Sequence, residues 1–465
     1  MITPTRADRL RVRRPSRVPA WWRDLQGLGV WATTLVVVAL WVSGGGLREL
    51  DTTAALLTST GRLTGLVATD LLLVQVLLMA RVPWVERSVG RDELVRGHRL
   101  AGFASFVLMI AHAVLISVGY AMTDRTGLLR EVWDLVTTYP GMLPATAGTA
   151  ALALVVITSV RLARRRFRYE AWHLLHLYAY LGVGSALPHQ LWTGADFTSS
   201  TAATVFWWSA YAGALGALLV FRVGWPLWRS LRHRLVVDHV RAEGPGVVSV
   251  VLRGRRLDRL PVAAGQFFVW RFLDGPGWTR GHPFSLSAAP DGRRLRITAK
   301  DLGAGSLRLA AVPAGTRVLI EGPYGAITDS VRKAPKVAMF ASGIGITPLR
   351  ALLEEMPYRP GDAVLCYRAS TPAQLVLRRE LDTLAARRGA RVLYLPGRRA
   401  WDRASWLPAG YGTTTDEVAL RQFVPDIAEH EVFVCGPGAW TDAVIACVRR
   451  AGVPAAQVHS ERFGW

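Results

Sequence analysis

Two histidines 14 residues apart, His98 and His112, sit in a run that is otherwise almost wholly apolar, HRLAGFASFVLMIAH. An α-helix turns about 100° per residue, so 14 steps return to within about 40° of the start and put both imidazoles on one face. They lie about 21 Å apart along the axis, most of the ~30 Å hydrocarbon core of a bilayer. Gly102 and Ser105 lie between them on that face and leave room for something flat. An ionisable side chain in a membrane helix is costly and marks function. Two haems, one towards each leaflet, account for the spacing, the small residues and the cost; the blander account is a pair of hydrogen-bonded histidines in a bundle. A second set, His173, His176 and His189, lies in EAWHLLHLYAYLGVGSALPHQ. Thirteen residues separate His176 from His189, which on an ideal helix turns them about 140° apart. Gly182, Gly184 and Pro188 offer places for that helix to twist or kink.

Hydrophobic residues make up 51% of the 465, and nearly all the long apolar runs fall before residue 230. Six of them are long enough to span: 28–46, 62–82, 99–121, 144–162, 171–190 and 203–224. The net charge is +22, from 56 basic and 34 acidic residues. That balance suits nucleic acid, but here the arginines cluster in alternate connections between apolar runs, the pattern of membrane topology. Arg9 to Arg23, Arg81 to Arg99, Arg161 to Arg168 and Arg222 to Arg234 mark one side. Positive-inside then expects a multi-pass plasma-membrane protein with both termini cytoplasmic, the lipid bilayer as partner and no nucleic acid. Spans three and five run in the same direction. His98 therefore pairs with His176 on the cytoplasmic side, and His112 with His189 on the outer side. Bis-histidine ligation leaves no open iron position and suits electron transfer. The cysteines, Cys366, Cys435 and Cys447, lie in the last hundred residues without a disulfide or metal spacing, which places that region in a reducing compartment. About 28 residues precede the first apolar run and no cleavage site is evident, so a retained first span is expected rather than a signal peptide.

Near residue 231 the pattern changes. HRLVVDHVRAEGPGVVSVVLRG, GQFFVWRFL, LRITAK and TRVLIEGPYG alternate apolar and polar residues and break at glycines, as strands of a small antiparallel barrel do. From 335, PKVAMFAS, AVLCYRAS, ARVLYLPG and EVFVCGPG alternate with helical stretches, which expects an α/β doubly wound parallel sheet with ligands outside the carboxyl ends of its strands. GIGITP, holding Gly343, Gly345, Thr347 and Pro348, follows a strand and opens a helix. Its glycines admit a close pyrophosphate and the helix start supplies amide donors, although a tight strand–helix turn has the same look. HPFSLSAAP offers His282 and the hydroxyls of Ser285 and Ser287 to a flavin, or is an edge strand. KDLGAGS is an anion cradle or a turn.

In this order, the histidine pairs, HPFSLS, EGPYG, GIGITP, VFVCGP and the terminal ERFGW resemble the ferric reductase/NADPH oxidase superfamily over about residues 60–465. RVPWVERSVGRDELVRGHR resembles its bacterial members. The resemblance implies three domains: a ferric reductase-like six-helix haem-binding transmembrane domain (1–230), an FAD-binding β-barrel (231–332) and an NAD(P)H-binding α/β domain (333–465). It implies an NAD(P)H-dependent flavohaem oxidoreductase. Electrons would pass from cytosolic NADPH, or NADH, through FAD and two haem b groups to an extracytoplasmic ferric chelate, O₂ or external redox partner. Carried over by residue, His98, His112, His176 and His189 would ligate haem iron. His282, Pro283, Phe284 and Ser285 would bind FAD, with Ser285 near flavin N5, and Lys300, Gly305 and Ser306 would assist at its phosphates. Gly322, Pro323, Tyr324 and Gly325 would line the cofactor junction. Gly343, Gly345, Thr347 and Pro348 would hold the nicotinamide dinucleotide. Cys435, Gly436 and Pro437 would sit beside the nicotinamide, and Trp465 would stack on the isoalloxazine. Ser285, Cys435 and Trp465 would serve the hydride transfer.

Arg368, Ser370, Arg398 and Arg399 follow later strands, where guanidinium groups can clamp a 2′-phosphate; the plain alternative is solvated charge. Ile116 stands where many NADPH oxidases carry a further histidine near the oxygen site, which weakens superoxide production as the purpose. No EF-hand pattern occurs. His173 resembles a family histidine beside the ligand, with packing, a propionate contact or iron ligation in place of His176 as its role. His233, His239, His430 and His459 are expected at the surface. A transporter or redox sensor with an appended flavin reductase needs a charged path through the spans, and beyond Asp70 they hold almost no Asp, Glu or Lys. A merely anchored flavin reductase needs only one span.

Overall fold

The computed structural model describes residues 21–48, 50–160, 169–192, 194–301, 308–400, 404–412 and 414–462. Residues 18–223 form one compact unit and those from 224 onward another; each is described by itself.

The first unit is helical. Its elements are α1 (Trp21–Ser43), α2 (Thr53–Met79), α3 (Pro83–Val89), α4 (Arg91–Asp124), α5 (Leu128–Thr138), α6 (Met142–Ser159), α7 (Tyr169–Trp192) and α8 (Thr201–Leu218). Each expected apolar run falls on a helix. Thr53–Met79, Glu93–Asp124, Met142–Ser159 and Thr201–His233 are the four, among the described residues, long and apolar enough to cross a membrane. The six-span expectation is thus met in part. The apolar stretch of α1, Gly27–Ser43, is shorter, and α7 carries three histidines and Gln190 among its apolar residues. α2 also begins nine residues before its expected start. The Thr52 hydroxyl caps it by accepting from the Ala55 amide at 3.1 Å, and Ser59 donates to the Gly46 carbonyl at 2.6 Å, so polar residues continue the helix.

Small residues let two pairs of helices close up. On α2 and α4, a Cβ on Gly119 would meet Thr58 Oγ1 at 2.4 Å; on α6 and α7, a Cβ on Gly148 would meet the Gly182 carbonyl at 2.6 Å. Asp70 is buried in α2 and accepts from Thr34 at 2.8 Å and Thr33 at 3.3 Å. Its cost is met locally by α1.

The second unit opens with α9 (Trp225–His233) and two sheets. The first sheet has six antiparallel strands: β1 (Leu235–Gly244), β2 (Val247–Arg253), β3 (Phe267–Phe272), β4 (His282–Ser285), β5 (Arg294–Lys300) and β6 (Arg317–Tyr324). Their order is β4-β3-β6-β1-β2-β5. A bridge between Leu286 and Ile297 joins the two edges and closes the barrel around Leu235, Val250, Phe268, Trp270 and Ile320.

The second sheet is parallel, formed by β7 (Lys336–Ser342), β8 (Ala363–Ala369), β9 (Arg391–Pro396), β10 (His430–Gly436) and β11 (Val458–Arg462). Its order is β11-β10-β7-β8-β9. The helices between are α10 (Ile346–Glu355), α11 (Arg378–Arg388), α12 (Asp416–Phe423) and α13 (Gly438–Arg450). Strands β8 and β10 are buried throughout, which is why their centres, AVLCY and VFVC, read as apolar runs. The chain builds outwards from β7 in both directions, so the winding switches between β7 and β10. Ligands of such sheets sit outside the strand ends at that point.

Two of the four histidines expected at the surface are buried. His233 lies with Nδ1 3.1 Å from the Arg255 carbonyl, and His430 with Nδ1 2.9 Å from the Asp426 carbonyl. His459 is partly buried, its Nε2 2.6 Å from the buried Glu431 carboxylate. Only His239 is exposed as expected among these four. A hydrogen bond offsets the cost of burying an imidazole, and sequence does not reveal the partner.

One ion-pair network ties the barrel to α10 and α11. Arg296 pairs bidentately with Glu380 at 2.8 and 2.9 Å, Arg241 reaches Glu380 at 2.7 Å and Arg350 at 3.1 Å. Burial alone would raise the Glu380 carboxyl, but bonds and charge from Arg296, with Arg350 and Arg241, outweigh it and hold its pKa at about 2. A depressed carboxylate stabilises the fold above its ordinary pKa, and that share is lost as pH falls towards the folded value. Glu380→Gln is therefore expected to destabilise the unit by about 2–3 kcal/mol at neutral pH. Thermal melts of the solubilised chain should converge with wild type between pH 4.5 and 2; parallel curves across that window would remove Glu380 as the cause.

Candidate functional site

The first constellation lies in the helical unit. The rings of His98 on α4 and His176 on α7 have centroids 5.9 Å apart, and those of His112 and His189 are 6.3 Å apart. On the α4 side, α2 fixes which nitrogen is available. His98 Nδ1 lies 3.2 Å from the Gln75 carbonyl and His112 Nδ1 2.8 Å from the Gly61 carbonyl. A carbonyl only accepts, so each Nδ1 carries the proton and Nε2 keeps its lone pair. Gly65 makes this fit possible, because a Cβ there would come within 2.6 Å of His112 Nδ1. On α7, His176 Nδ1 is 3.3 Å from Ser159 Oγ and its ring lies 5.0 Å from that of Trp172. His173 lies at the exposed surface of α7.

These pairs fit a metal between them. Two metal–nitrogen bonds of about 2.0 Å, plus two ring radii, put facing imidazole centroids roughly 6 Å apart. Backing of the far ring nitrogen by a carbonyl is the usual support for a ligating histidine.

The second constellation lies in the unit that begins at residue 224. The turn after β7 and the end of β10 meet at the winding switch. A Cβ on Gly345 would lie 2.2 Å from the Cys435 carbonyl, so only glycine lets these two segments touch. Gly343 has a φ of 58°. Thr347 donates to the Ile344 carbonyl at 3.0 Å, and Pro348 follows in the first turn of α10, which starts directly after the turn that ends β7. Cys435 is fully buried, and burial followed by the charge of Glu461 pushes its thiol well above the ordinary range. It is a neutral, uncharged wall there. Gly436 ends β10 and Pro437 caps α13.

On the barrel, β4 pairs with β3 and presents the HPFS segment. Trp270 Nε1 donates to the Phe284 carbonyl at 3.0 Å. The two serines differ. Ser287 Oγ is engaged by Thr298 at 2.7 Å and Arg296 at 3.1 Å, whereas Ser285 Oγ is buried with no hydrogen-bond partner. A buried unpaired hydroxyl is costly unless a ligand meets it, so Ser285 fits a polar ring edge and Ser287 does not. His282 stacks on Phe284 at 6.0 Å. Burial, then Arg280, lowers its pKa, so it is a neutral donor near pH 7. Pro283 sits between them in the strand, and Lys300 ends β5 opposite Val247. At the end of β6, Tyr324 donates to Glu321 at 3.0 Å and packs 5.7 Å from Phe267. Gly322, whose carbonyl accepts from Arg229, flanks Pro323. Gly325 faces the Glu461 carboxylate, 3.3 Å from its Cβ position.

Arg368 lies near the end of β8, with Nε and Nη2 buried and without a hydrogen-bond partner. Burial, then Arg399, lowers its pKa. Ser370, Arg398 and Arg399 are exposed after β8 and β9. Gly305, Ser306 and Trp465 lie outside the described residues. Glu461 had no expected role, though it opens ERFGW. Its register partner in β10 is Cys435, a pairing that only the sheet order reveals.

Known proteins give the class. Residues 339–445 match the oxidoreductase NAD-binding domain family. Ferredoxin–NADP reductase B of Sorangium cellulosum is 32% identical over 217 residues, 43% of this chain and 84% of that protein. The flavohemoprotein of Xylella fastidiosa is 29% identical over 255 residues, 52% of this chain and 60% of the relative. The glycine betaine monooxygenase reductase subunit of Chromohalobacter salexigens is 28% identical over 206 residues, 43% of this chain and 55% of the relative. The chain spans about half the length of the curated relatives it matches. Its second unit is an oxidoreductase module of the ferredoxin–NADP reductase type, a flavoprotein fold that takes FAD and NAD(P). Residues 64–187 match the ferric reductase-like transmembrane component. The chain thus belongs, through that module, to the ferredoxin–NADP reductase family, and joins to it a segment that matches the ferric reductase-like transmembrane component.

Proposed function

We propose that the chain is a plasma-membrane conduit that carries electrons from cytosolic NADPH, by way of FAD and two b-type haems, to an acceptor outside. The observation that carries this is the pair of facing imidazole couples, each with α2 carbonyls behind the α4 partner. Bound FAD and haem supply the step from two-electron to one-electron chemistry. Helices α1, α2, α4, α6, α7 and α8 are the six spans, with both termini cytoplasmic by the arginine distribution. His98 and His176 hold the inner haem, and His112 and His189 the outer one. Domain limits near 230 and 332 separate the haem, FAD and nicotinamide parts.

Within the module, the unpaired Ser285 Oγ would meet the flavin, and His282, Pro283, Phe284 and Lys300, with Gly305 and Ser306 of the expected set, would hold the rest of FAD. Gly322 to Gly325 line the junction. Gly343, Gly345 and Thr347 would bring backbone amides to the dinucleotide phosphates, and Pro348, which has no N–H to offer, would fix the first helical turn beside them. Neutral Cys435 with Gly436 and Pro437 would wall the nicotinamide, and Trp465, outside the described residues, would serve the flavin. One NADPH reduces two ferric ions and releases NADP⁺ and one proton on the cytoplasmic side. A ferric chelate ranks ahead of O₂, because Ile116 gives oxygen no polar partner.

The test uses purified full-length protein in liposomes without oxygen. NADPH should shift a haem b Soret band and reduce external Fe(III)-citrate at two irons per NADPH; superoxide is measured separately with O₂. Folded protein that binds no haem would end the proposal.

A further inference from the structure

The two α7 histidines meet α4 against the helical count. On a straight ideal helix His176 and His189 would point about 140° apart, yet the His176 ring lies 5.9 Å from that of His98 and the His189 ring 6.3 Å from that of His112. Pro188 lies inside α7, one residue before His189. Proline lacks an amide hydrogen, so the last turn loses a bond that would fix its rotation. Two other contacts hold that turn. Gly141 packs on its backbone, where a Cβ would lie 2.6 Å from the His189 nitrogen. On the other side the Gln190 amide bridges two helices. Its Nε2 donates to Thr69 Oγ1 at 3.1 Å, and its Oε1 accepts from the Tyr211 hydroxyl. Thr69 donates onward to the Gly65 carbonyl at 3.0 Å, in the turn of α2 that lies against His112.

We infer that Gln190 is a positioning residue that aims His189 at His112. It cross-links α7 to α2 and α8 two residues after Pro188, so one rotation of the last turn satisfies both ends of the amide. In apolar surroundings the amide has few alternative partners, and leaving either end unpaired is costly. The effect is local to one couple: His176, before Pro188, is set instead by Ser159 and Trp172. The inference rests on the proposed haem ligation and adds the device that makes one of the two sites possible.

The experiment compares wild type with Gln190→Leu, Thr69→Val and Thr69→Ser in the full chain, with His112→Ala as reference. Haem per chain is counted by pyridine haemochrome, and low-spin signals are read by electron paramagnetic resonance. Gln190→Leu and Thr69→Val should displace or lose one of the two low-spin signals, the one missing in His112→Ala, and leave the other unchanged. Thr69→Ser, which keeps the hydroxyl, should restore it. Two unaltered signals in Gln190→Leu and Thr69→Val, with one lost in His112→Ala, would overturn the inference and leave the haem reading standing. Equal disturbance of both signals, unrescued by Thr69→Ser, would also overturn it by showing a general packing role. Haem-free wild type would remove both.

Discussion

His112→Ala lowers electron delivery to an external acceptor by more than about 100-fold and leaves one haem per chain, while NADPH-dependent flavin reduction keeps its wild-type rate. The size follows from the site. Disturbing even a supporting neighbour of a metal ligand costs roughly 10–100-fold in affinity, and here the ligand itself goes. The Gly61 carbonyl, 2.8 Å from Nδ1, also loses its donor. Gly65, the α2 residue packed against His112, carries no side chain that could replace the imidazole. The flavin step is spared because its residues belong to the other compact unit. Haem counting, anaerobic stopped-flow reduction of flavin and liposome flux check the three parts separately. Unchanged flux with one haem missing would show that the His112 couple is off the path.

Local patterning carried much of this fold. The apolar runs fall on helices, the alternating segments after 231 form an antiparallel barrel, and strand–helix alternation after 335 forms a parallel sheet. These follow from periodicity and turn residues, which are local properties. Strand order is not local. Nothing near Cys435 announces that β10 lies beside β7, so the contact of Gly345 with the Cys435 carbonyl was illegible until the sheet was built. The same limit hid the difference between Ser285 and Ser287. Both are serines of one motif, and only their distant neighbours Thr298 and Arg296 decide which hydroxyl is open. His233 and His430 misled for the converse reason, because carbonyls far from any motif take up their ring nitrogens. On α7 the helical count and the observed facing of His189 disagree at a proline, where ideal periodicity stops being a guide.

Arg368→Ala is expected to cut kcat/KM for NADPH by about 10–100-fold and to leave NADH within a few-fold, the range that one or two hydrogen bonds to a charged group supply. In the free protein Arg368 is poorly placed. It is 7% exposed, two of its nitrogens have no partner, and Arg399 repels it. A guanidinium held in that condition is costly to the fold, and a dianionic 2′-phosphate relieves burial, unsatisfied donors and repulsion together. NADH offers a hydroxyl at that position and would relieve little, so a preference for NADPH would draw on the unpaired state of Arg368 as much as on the new contacts. The same argument gives the opposite sign for stability. Removing an uncompensated buried cation should leave the melting temperature of the unliganded chain unchanged or raised, so lost NADPH selectivity cannot be attributed to unfolding. Steady-state kinetics with both nucleotides, beside a thermal melt without either, separates the cases. Equal losses for NADPH and NADH, or a lowered melting temperature, would place Arg368 in the structure of the strand end and not in the choice of nucleotide.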